Sequence, residues 1–309
     1  MEPQQETAIV DPSTPTPGVP TDELSGIKAL LHEAWGKFTS RFTDLMKLEV
    51  IVWVPFIIGA LLIAAFVLPH LQSQYVQSTT AEPAASGKVV LGIAWILMLA
   101  GVVLRIVVSA GEIKMLASDA SFSVSQAWSH GWKRFFPMIG HGILLFLTFL
   151  PILIAFAIPL VGSLFLVLLG GASDVSQTIQ LVMFAAGVVC IVLIPVYVFL
   201  IVKLGFVMTL VAIGDTTGAF KESWNITKGK FWPVLWRLFV GSVVVGVVSS
   251  IITTVLDTLI PGSAEATRSA ALTGAGVNLI SAIVQFIIML FAAAYSVSLL
   301  RNIQGKTEV

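Results

Sequence analysis

The sequence predicts an all-α integral membrane protein with six transmembrane helices, arranged as three repeats of an interfacial amphipathic helix followed by a transmembrane hairpin. Three observations predict this class. Hydrophobic residues make up 57% of the 309 residues and charged residues only 11%, against about 25% in soluble domains. Six long apolar runs carry this composition. In addition, a segment at residues 127–137 recurs at 223–233.

The apolar runs are long enough to cross a bilayer, since a span needs about 20 mostly apolar residues for about 30 Å of hydrocarbon. They are Val50–Leu68, Val89–Leu104, Met138–Leu169, Leu181–Val202, Leu238–Val255 and Leu279–Leu300. The third run has 32 residues and would measure about 48 Å as one straight helix. We therefore expect bends at Pro151 and Pro159, and Pro195 lies inside the fourth span.

The repeated segment reads AWSHGWKRFFP at 127–137 and SWNITKGKFWP at 223–233. Trp128 and Trp224 are 96 residues apart, as are the closing prolines and the upstream pair Asp119 and Asp215. A looser copy, Ala34–Phe42, lies 93 residues before the corresponding part of the second copy. Internal repeats decide an architecture, so we expect three packed copies of one unit.

The repeats divide the chain into four segments. Residues 1–20 predict a disordered tail, because their Pro, Thr, Gln and Glu residues cannot bury enough apolar surface. The tail also lacks the basic start and apolar core of a secretory signal. The three repeats are predicted at 21–118, 119–214 and 215–309.

Each repeat is predicted to begin with an amphipathic helix, at about 21–46, 124–135 and 217–231. Two interpretations are open: the apolar face lies on the headgroup plane, or it packs on neighbouring spans. Ser123 and Gln126 have the spacing of a capping box for the second helix.

The spans that follow these helices are predicted at about 48–71, 88–116, from 138 to 169, up to 213, 234–260 and 278–303, with a polar connection at 72–87. Asp119 and Asp215 end a span or cap the next helix. Alternatively, with Glu112, they act as proton acceptors near the inner boundary.

The basic residues sort to one side of this topology. Fifteen of the 17 fall on the side of the N-terminus, and only Lys88 and Arg268 fall on the other. The positive-inside rule then predicts that both termini and all three interfacial helices are cytoplasmic. Tryptophans gather on the same side, and we predict Trp35, Trp128, Trp224 and Trp232 as interfacial anchors, with a specific lipid or partner site as the alternative.

The third copy of the repeat resembles a known family. There, Asp215 follows a span and AFKESWNITKGKFWP then opens the next one. This pattern is similar to the membrane domain named after glycerophosphoryl diester phosphodiesterase, and to related uncharacterised prokaryotic six-span proteins. The resemblance is carried by Asp215, Ser223, Trp224, Gly229, Phe231 and Trp232, and more weakly by Asp119, Ala127, Trp128, Phe135 and Phe136.

The resemblance implies a membrane fold and a place in the prokaryotic cytoplasmic membrane. Some members of that family carry a soluble phosphodiesterase barrel, which needs about 250 residues. Little of this chain lies outside the predicted spans. We therefore expect no catalytic activity from the resemblance.

The residues offer no enzymatic or metal-binding pattern. The phosphate-binding loop, the zinc-protease motif and the nucleophile elbow are all missing from the sequence. The four histidines are scattered without carboxylate or cysteine partners, so we expect neither a metal nor a cofactor. Cys190 is expected to be a small core residue. A net charge of zero gives no reason to expect a nucleic-acid partner.

The remaining candidates are cations near the predicted inner face. As lipid-headgroup contacts we predict Arg105, Lys133, Arg134, Lys203, Lys228, Lys230 and Arg301. Arg105, Lys203 and Arg301 lie in apolar stretches, where they either snorkel to phosphates or serve a function. The sequence therefore predicts a non-enzymatic protein that binds or organises membrane lipids, anionic ones included. The alternative is a small transporter or channel with a path between the three repeats.

Overall fold

The computed structural model describes residues 26–76, 85–118, 122–169, 175–214, 218–258 and 268–305. The regular elements of these residues are all helices: α1 (Ile27–Val76), α2 (Ala85–Ala117), α3 (Val124–Leu169), α4 (Val175–Leu204), α5 (Val207–Ile213), α6 (Ala219–Ile226), α7 (Phe231–Thr258) and α8 (Arg268–Ile303). The predicted tail at 1–20, Asp119 and Asp215 lie outside the described residues.

Six stretches of the described residues are long and apolar enough to cross a membrane. They are Ile27–Ile63, Val89–Ala117, Val124–Ala155, Ile191–Ile213, Phe231–Val255 and Ile280–Ile303. Large apolar side chains are exposed along all six, as expected of a surface that faces lipid. The predicted all-α class with six membrane-spanning helices is confirmed, whereas the arrangement in three repeats stays a prediction.

The predicted division between interfacial helix and span holds only in the third copy. There α6 ends at Ile226, α7 begins at Phe231, and Gly229 between them adopts φ +76°. The residue 96 positions earlier is Lys133, which lies inside α3. A left-handed backbone is costly for lysine but not for glycine. Accordingly α3 continues through Pro137 as one helix of 46 residues, and α1 is likewise one helix of 50 residues.

Of two further predictions about helix ends, one is confirmed and one is wrong in its bounds. The predicted capping box is confirmed, because the Ser123 amide donates to Gln126 Oε1 at 2.8 Å and the Gln126 amide donates to Ser123 Oγ at 3.3 Å. The predicted polar connection at 72–87 is too long, since α1 continues to Val76 and α2 begins at Ala85. Gln and Ser in the connection are compatible with helix, so helical structure extends past the apolar runs.

The fourth predicted span is broken near its end. α4 stops at Leu204 and α5 begins at Val207. A Cβ on Gly205 would lie 2.7 Å from the Ile201 carbonyl oxygen, so the break requires glycine. In contrast, α3 continues through Pro151 and Pro159.

The packed core lies toward one end of the bundle, where α1 starts and α2, α5 and α8 finish. We call this the basic end. One buried cluster surrounds α5, with side chains from α1, α2, α3, α4, α6, α7 and α8, and a second joins α1, α2, α3 and α8. α1 packs against α2 and α8, and α3 packs against α2, α4 and α5.

One helix contact of this core occurs twice, 96 residues apart. In the first instance Gly131 of α3 lies so close to α2 that a Cβ would collide with the Val107 carbonyl. In the second, the Ser223 hydroxyl of α6 donates to the Lys203 carbonyl of α4 at 2.7 Å. Lys203 follows Val107 by 96 residues, and Thr227, four residues after Ser223 and just past the end of α6, follows Gly131 by 96. The pair Lys203 and Thr227, in which Lys203 Nζ donates to the Thr227 carbonyl at 3.3 Å, therefore occupies the register of Val107 and Gly131, whereas Ser223 occupies that of Ala127.

Candidate functional site

An ion-pair cluster joins α1 to α2 inside the bundle. Arg105 Nη1 lies 2.5 Å from Glu49 Oε1 and 3.6 Å from Glu112 Oε2. The exposed fraction of the side chain is 0% for Glu49, 2% for Glu112 and 25% for Arg105. Within the described part of the chain, Glu49 Oε2 and Glu112 Oε1 are buried without a hydrogen-bond partner. The cluster thus holds two acids, one base and two unsatisfied oxygens.

Helix geometry brings these three side chains together. Arg105 and Glu112 are seven residues apart on α2, which is about two turns, so they share a face. Glu49 meets them from α1, which lies close to α2 at two glycines. A Cβ on Gly101 would be 2.8 Å from the Phe56 ring, and one on Gly59 would be 3.2 Å from the Ala94 carbonyl oxygen. Such small residues let membrane helices approach and fix their register.

Arg105 also forms part of the wall of an apolar cleft. Its guanidinium carbon lies 4.5 Å from the centroid of the Phe286 ring on α8, a cation–π contact. The cleft has a volume of about 500 Å³ and lies between α2, α3, α5 and α8. Its lining consists of Arg105, Ile106, Ser109, Met138, Ile139, Gly142, Ile143, Phe146, Met208 and Met289. Arg105 and Ser109 are therefore the polar side chains of an otherwise apolar wall.

The cleft opens to the outside of the bundle. Ile143, Phe146 and Met289 line it, and more than half of each side chain is exposed. Three methionines in the wall supply flexible side chains that fit irregular apolar ligands. Chemically, this arrangement can hold an apolar chain that enters from the side and carries a polar or negative group near Arg105.

Most of the predicted headgroup cations bind the protein itself. Lys133 and Lys228 are exposed, whereas the side chains of four others point at backbone carbonyls. Arg134 Nη2 donates to Gly214 O at 3.0 Å, Lys203 Nζ donates to Thr227 O at 3.3 Å, Lys230 Nζ lies 3.5 Å from Ile303 O, and Arg301 Nη2 donates to Ala117 O. These carbonyls lie at the carboxyl ends of α5, α6, α8 and α2, where a positive charge is favourable.

Two of these contacts, those of Arg134 and Lys230, share a register with a contact of Arg41. Arg41 Nη1 donates to the Phe122 carbonyl at 3.0 Å, and Arg41 precedes Arg134 by 93 residues. Lys230 follows Arg134 by 96 residues. Each of the three cations lies near the end of a predicted interfacial helix. Arg134 and Lys230 point at carbonyls at the end of the second span of their own predicted repeat, whereas the Phe122 carbonyl lies just inside the repeat that follows Arg41.

A family model described as "Domain of unknown function (DUF7847)" matches residues 51–303. The chain belongs to the DUF7847 family. The family carries no functional description, and it does not establish the resemblance to the phosphodiesterase membrane domain, which stays a prediction. No curated protein and no solved structure matches the chain.

The predicted tryptophan anchors of this DUF7847 protein differ in their surroundings. Trp232 is 74% exposed and Trp35 56% exposed, while Trp128 is partly buried with its ring 5.8 Å from that of Trp132. Trp224 is 41% exposed, and Lys203 Nζ lies 5.2 Å from its ring centroid. Trp224 therefore covers a buried lysine as well as facing outward.

Two histidines of the DUF7847 domain bind backbone carbonyls. His130 Nε2 lies 2.6 Å from the Ala212 oxygen, and His141 Nδ1 lies 2.9 Å from the Pro137 oxygen. The described residues hold no group of three or more potential metal ligands. His130 thus joins α3 to α5, whereas His141 contacts a carbonyl one turn earlier in α3 itself.

Glu49 is the site residue that sequence reasoning missed. It lies just after the start of the first predicted span, and an ionisable residue there is a functional candidate by default. The sequence also indicated that Arg105 lies near the inner boundary of the membrane, where its side chain would extend to lipid phosphates. In the structure its guanidinium turns to Glu49 and Glu112 instead, because two buried carboxylates attract it more strongly than a distant phosphate.

Proposed function

We propose that this protein is a non-enzymatic, multi-pass membrane protein that binds an anionic lipid, with an acyl chain in the cleft and the negative group beside Arg105. The observation that supports it is the makeup of the cleft, an apolar wall that includes one guanidinium. A few polar groups in an apolar pocket orient a ligand, while the apolar contacts supply affinity.

Arg105 suits this role although it is already paired. Guanidinium has five N–H donors, and the fork they form matches phosphate or carboxylate oxygens. The short contact with Glu49 uses Nη1. The two acids hold the guanidinium in place, so the ligand meets a fixed cation.

The position of Arg105 along α2 favours a second function, movement of such a lipid along a path between the three predicted repeats. Arg105 lies 12 residues before Ala117, the end of α2, which is about 18 Å along the helix. A headgroup at that point has left the basic end, as it must during transport. The helices around the cleft also come from all three predicted repeats.

For the setting of this function, we propose the cytoplasmic membrane with both termini cytoplasmic. The support is the asymmetry of charge, since 15 of the 17 basic residues fall on the side of the N-terminus. Exposed Lys133 and Lys228 lie at this face, where they attract anionic lipid to the protein.

The test fills the cleft at Gly142. A Cβ there would be 3.9 Å from Met208 Cε, so Gly142→Phe places its ring among the lining residues. Gly140→Phe is the matched control, because Gly140 lies on the same helix, is exposed and has nothing within 4 Å of a Cβ. Both variants are purified with bound lipid from mixed phosphatidylglycerol and phosphatidylcholine, and retained lipid is counted by native mass spectrometry.

We expect the wild type and Gly140→Phe to retain phosphatidylglycerol. We expect Gly142→Phe to retain about tenfold less of it, with an unchanged helix content and melting temperature. Equal retention of the two lipids by the wild type, or unchanged retention by Gly142→Phe, contradicts the proposal. Transfer of fluorescent phosphatidylglycerol between the leaflets of proteoliposomes separates movement from binding alone.

A further inference from the structure

We infer that Glu49 and Glu112 together take up one proton for each anionic group that binds beside Arg105, so the cleft is a proton-coupled anion site. This inference rests on the proposed function, because it concerns the occupancy of the same cleft. It adds that pH regulates the occupancy of the cleft and that proton uptake favours binding of the anion.

The charge count of the cluster supports the coupling. Two carboxylates and one guanidinium carry a net charge of −1 when all are ionised, and both carboxylates are buried. Uncompensated charge is costly away from water. One added proton balances the empty cluster. An anion that binds beside Arg105 restores the surplus of one negative charge. Uptake of a second proton by the two carboxylates then becomes favourable.

The geometry provides a place for protons. Glu49 Oε1 and Glu112 Oε2 lie 2.5 and 3.6 Å from the same nitrogen, Arg105 Nη1, so the two buried carboxyls adjoin each other. Glu49 Oε2 and Glu112 Oε1 are further buried oxygens without a hydrogen-bond partner among the described residues. Acids this close titrate as a pair rather than one by one. The step itself is simple: a proton from water joins a carboxylate oxygen, and nothing is oxidised or reduced.

Other charges on the packed elements are engaged elsewhere. The charged groups that adjoin Glu112 are Arg105, whose Nη1 lies 3.6 Å from Glu112 Oε2, and Glu49, which contacts the same nitrogen. On the surrounding helices, Lys47 pairs with Asp44, His130 contacts the Ala212 carbonyl, Arg134 donates to the Gly214 carbonyl, and Arg301 donates to the Ala117 carbonyl. Proton uptake at the cleft is therefore assigned to the two acids.

The experiment counts protons directly. Dodecylsulfonate is the probe, because its charge does not change with pH, and dodecanol is the uncharged control. The full chain in phosphatidylcholine nanodiscs is titrated by calorimetry in two buffers of different ionisation enthalpy, which gives protons taken up per ligand bound. The wild type is expected to take up about one proton per sulfonate and about none per dodecanol.

The variant Glu49→Gln/Glu112→Gln keeps the shape of both side chains and removes the titrating groups. We expect it to bind the sulfonate with about no proton uptake and with an affinity that no longer falls as pH rises. Because that variant leaves Arg105 without a counter-charge and is at risk of misfolding, the wild-type count decides alone. Sulfonate binding without proton uptake overturns this inference and leaves the proposed function standing. No sulfonate binding and no anionic-lipid preference overturn both.

Discussion

Arg134 and Gly214 fix the end of α5 to the start of α3. Arg134 Nη2 donates to the Gly214 carbonyl at 3.0 Å, and Gly214 adopts φ +137°. A Cβ on Gly214 would lie 3.1 Å from Arg134 Nη2. The backbone conformation therefore favours glycine at this position, and a Cβ would in addition crowd the Arg134 guanidinium.

Replacement of Gly214 tests this relationship. We expect Gly214→Ala to lower the free energy of unfolding by about 1–3 kcal/mol, because alanine is strained at positive φ and crowds the guanidinium. Chemical unfolding in mild detergent, followed by circular dichroism, measures the change. Gly140→Ala is the control: Gly140 is helical with open space at its Cβ, so stability is expected to stay equal or rise. A Gly214→Ala protein as stable as the control contradicts the account.

Signals within a few residues predicted local structure well. Ser123 and Gln126 form the expected capping box, because such a box needs only its own four residues. The six apolar runs likewise correspond to the six helical stretches of the described residues that are long enough to cross a membrane, the fourth of which is broken between α4 and α5. The break before α7 was not distinguished from the continuous α3, since the difference depends on one residue, Gly229 against Lys133.

The candidate site was harder to predict because it depends on the register between helices. Arg105 and Glu112 were both noticed in the sequence, but nothing local indicates that Glu49, more than 50 residues earlier, faces them. The packing of α1 on α2 at Gly59 and Gly101 sets that register. The cleft depends in the same way on four helices meeting, which no single segment encodes.

The buried cluster is expected to act as one energetic unit. Arg105→Gln leaves Glu49 and Glu112 without their cation, so we expect a loss of about 3–5 kcal/mol in the free energy of unfolding. Adding Glu49→Gln in the same chain removes one of the stranded acids, so we expect much of the loss to be recovered. A double-mutant cycle by denaturant unfolding in detergent measures this coupling. Additive effects of the two substitutions would show that the pair contributes no net interaction.

Lys133 and Lys228 are the predicted headgroup cations with exposed side chains. We expect Lys133→Gln/Lys228→Gln to weaken the preference for anionic over neutral liposomes, by about fivefold per lysine if each contributes about 1 kcal/mol. Added salt should reduce the wild-type preference in the same direction, since these charges are exposed. Co-sedimentation with phosphatidylglycerol and phosphatidylcholine vesicles measures the preference.

Arg134→Gln serves as the contrast for these two lysines. It removes a hydrogen bond to Gly214, so we expect it to lower stability rather than lipid preference. If the double lysine variant keeps the full preference for phosphatidylglycerol, the exposed lysines are not headgroup contacts.

The orientation in the membrane is open to a direct test by cysteine labelling. In a Cys190→Ser background, single cysteines at Thr80 and Lys228 report the two faces predicted by the charge asymmetry. In intact cells an impermeant maleimide is expected to label Thr80→Cys and not Lys228→Cys, and permeabilised cells should label both. The positive-inside rule acts through basic residues near the ends of spans. The 15 basic residues on the side of the N-terminus, against 2 on the other side, therefore predict this result independently of the three repeats. Labelling of Lys228→Cys from outside would show that the protein has the opposite orientation, with the exposed lysines away from the anionic inner leaflet.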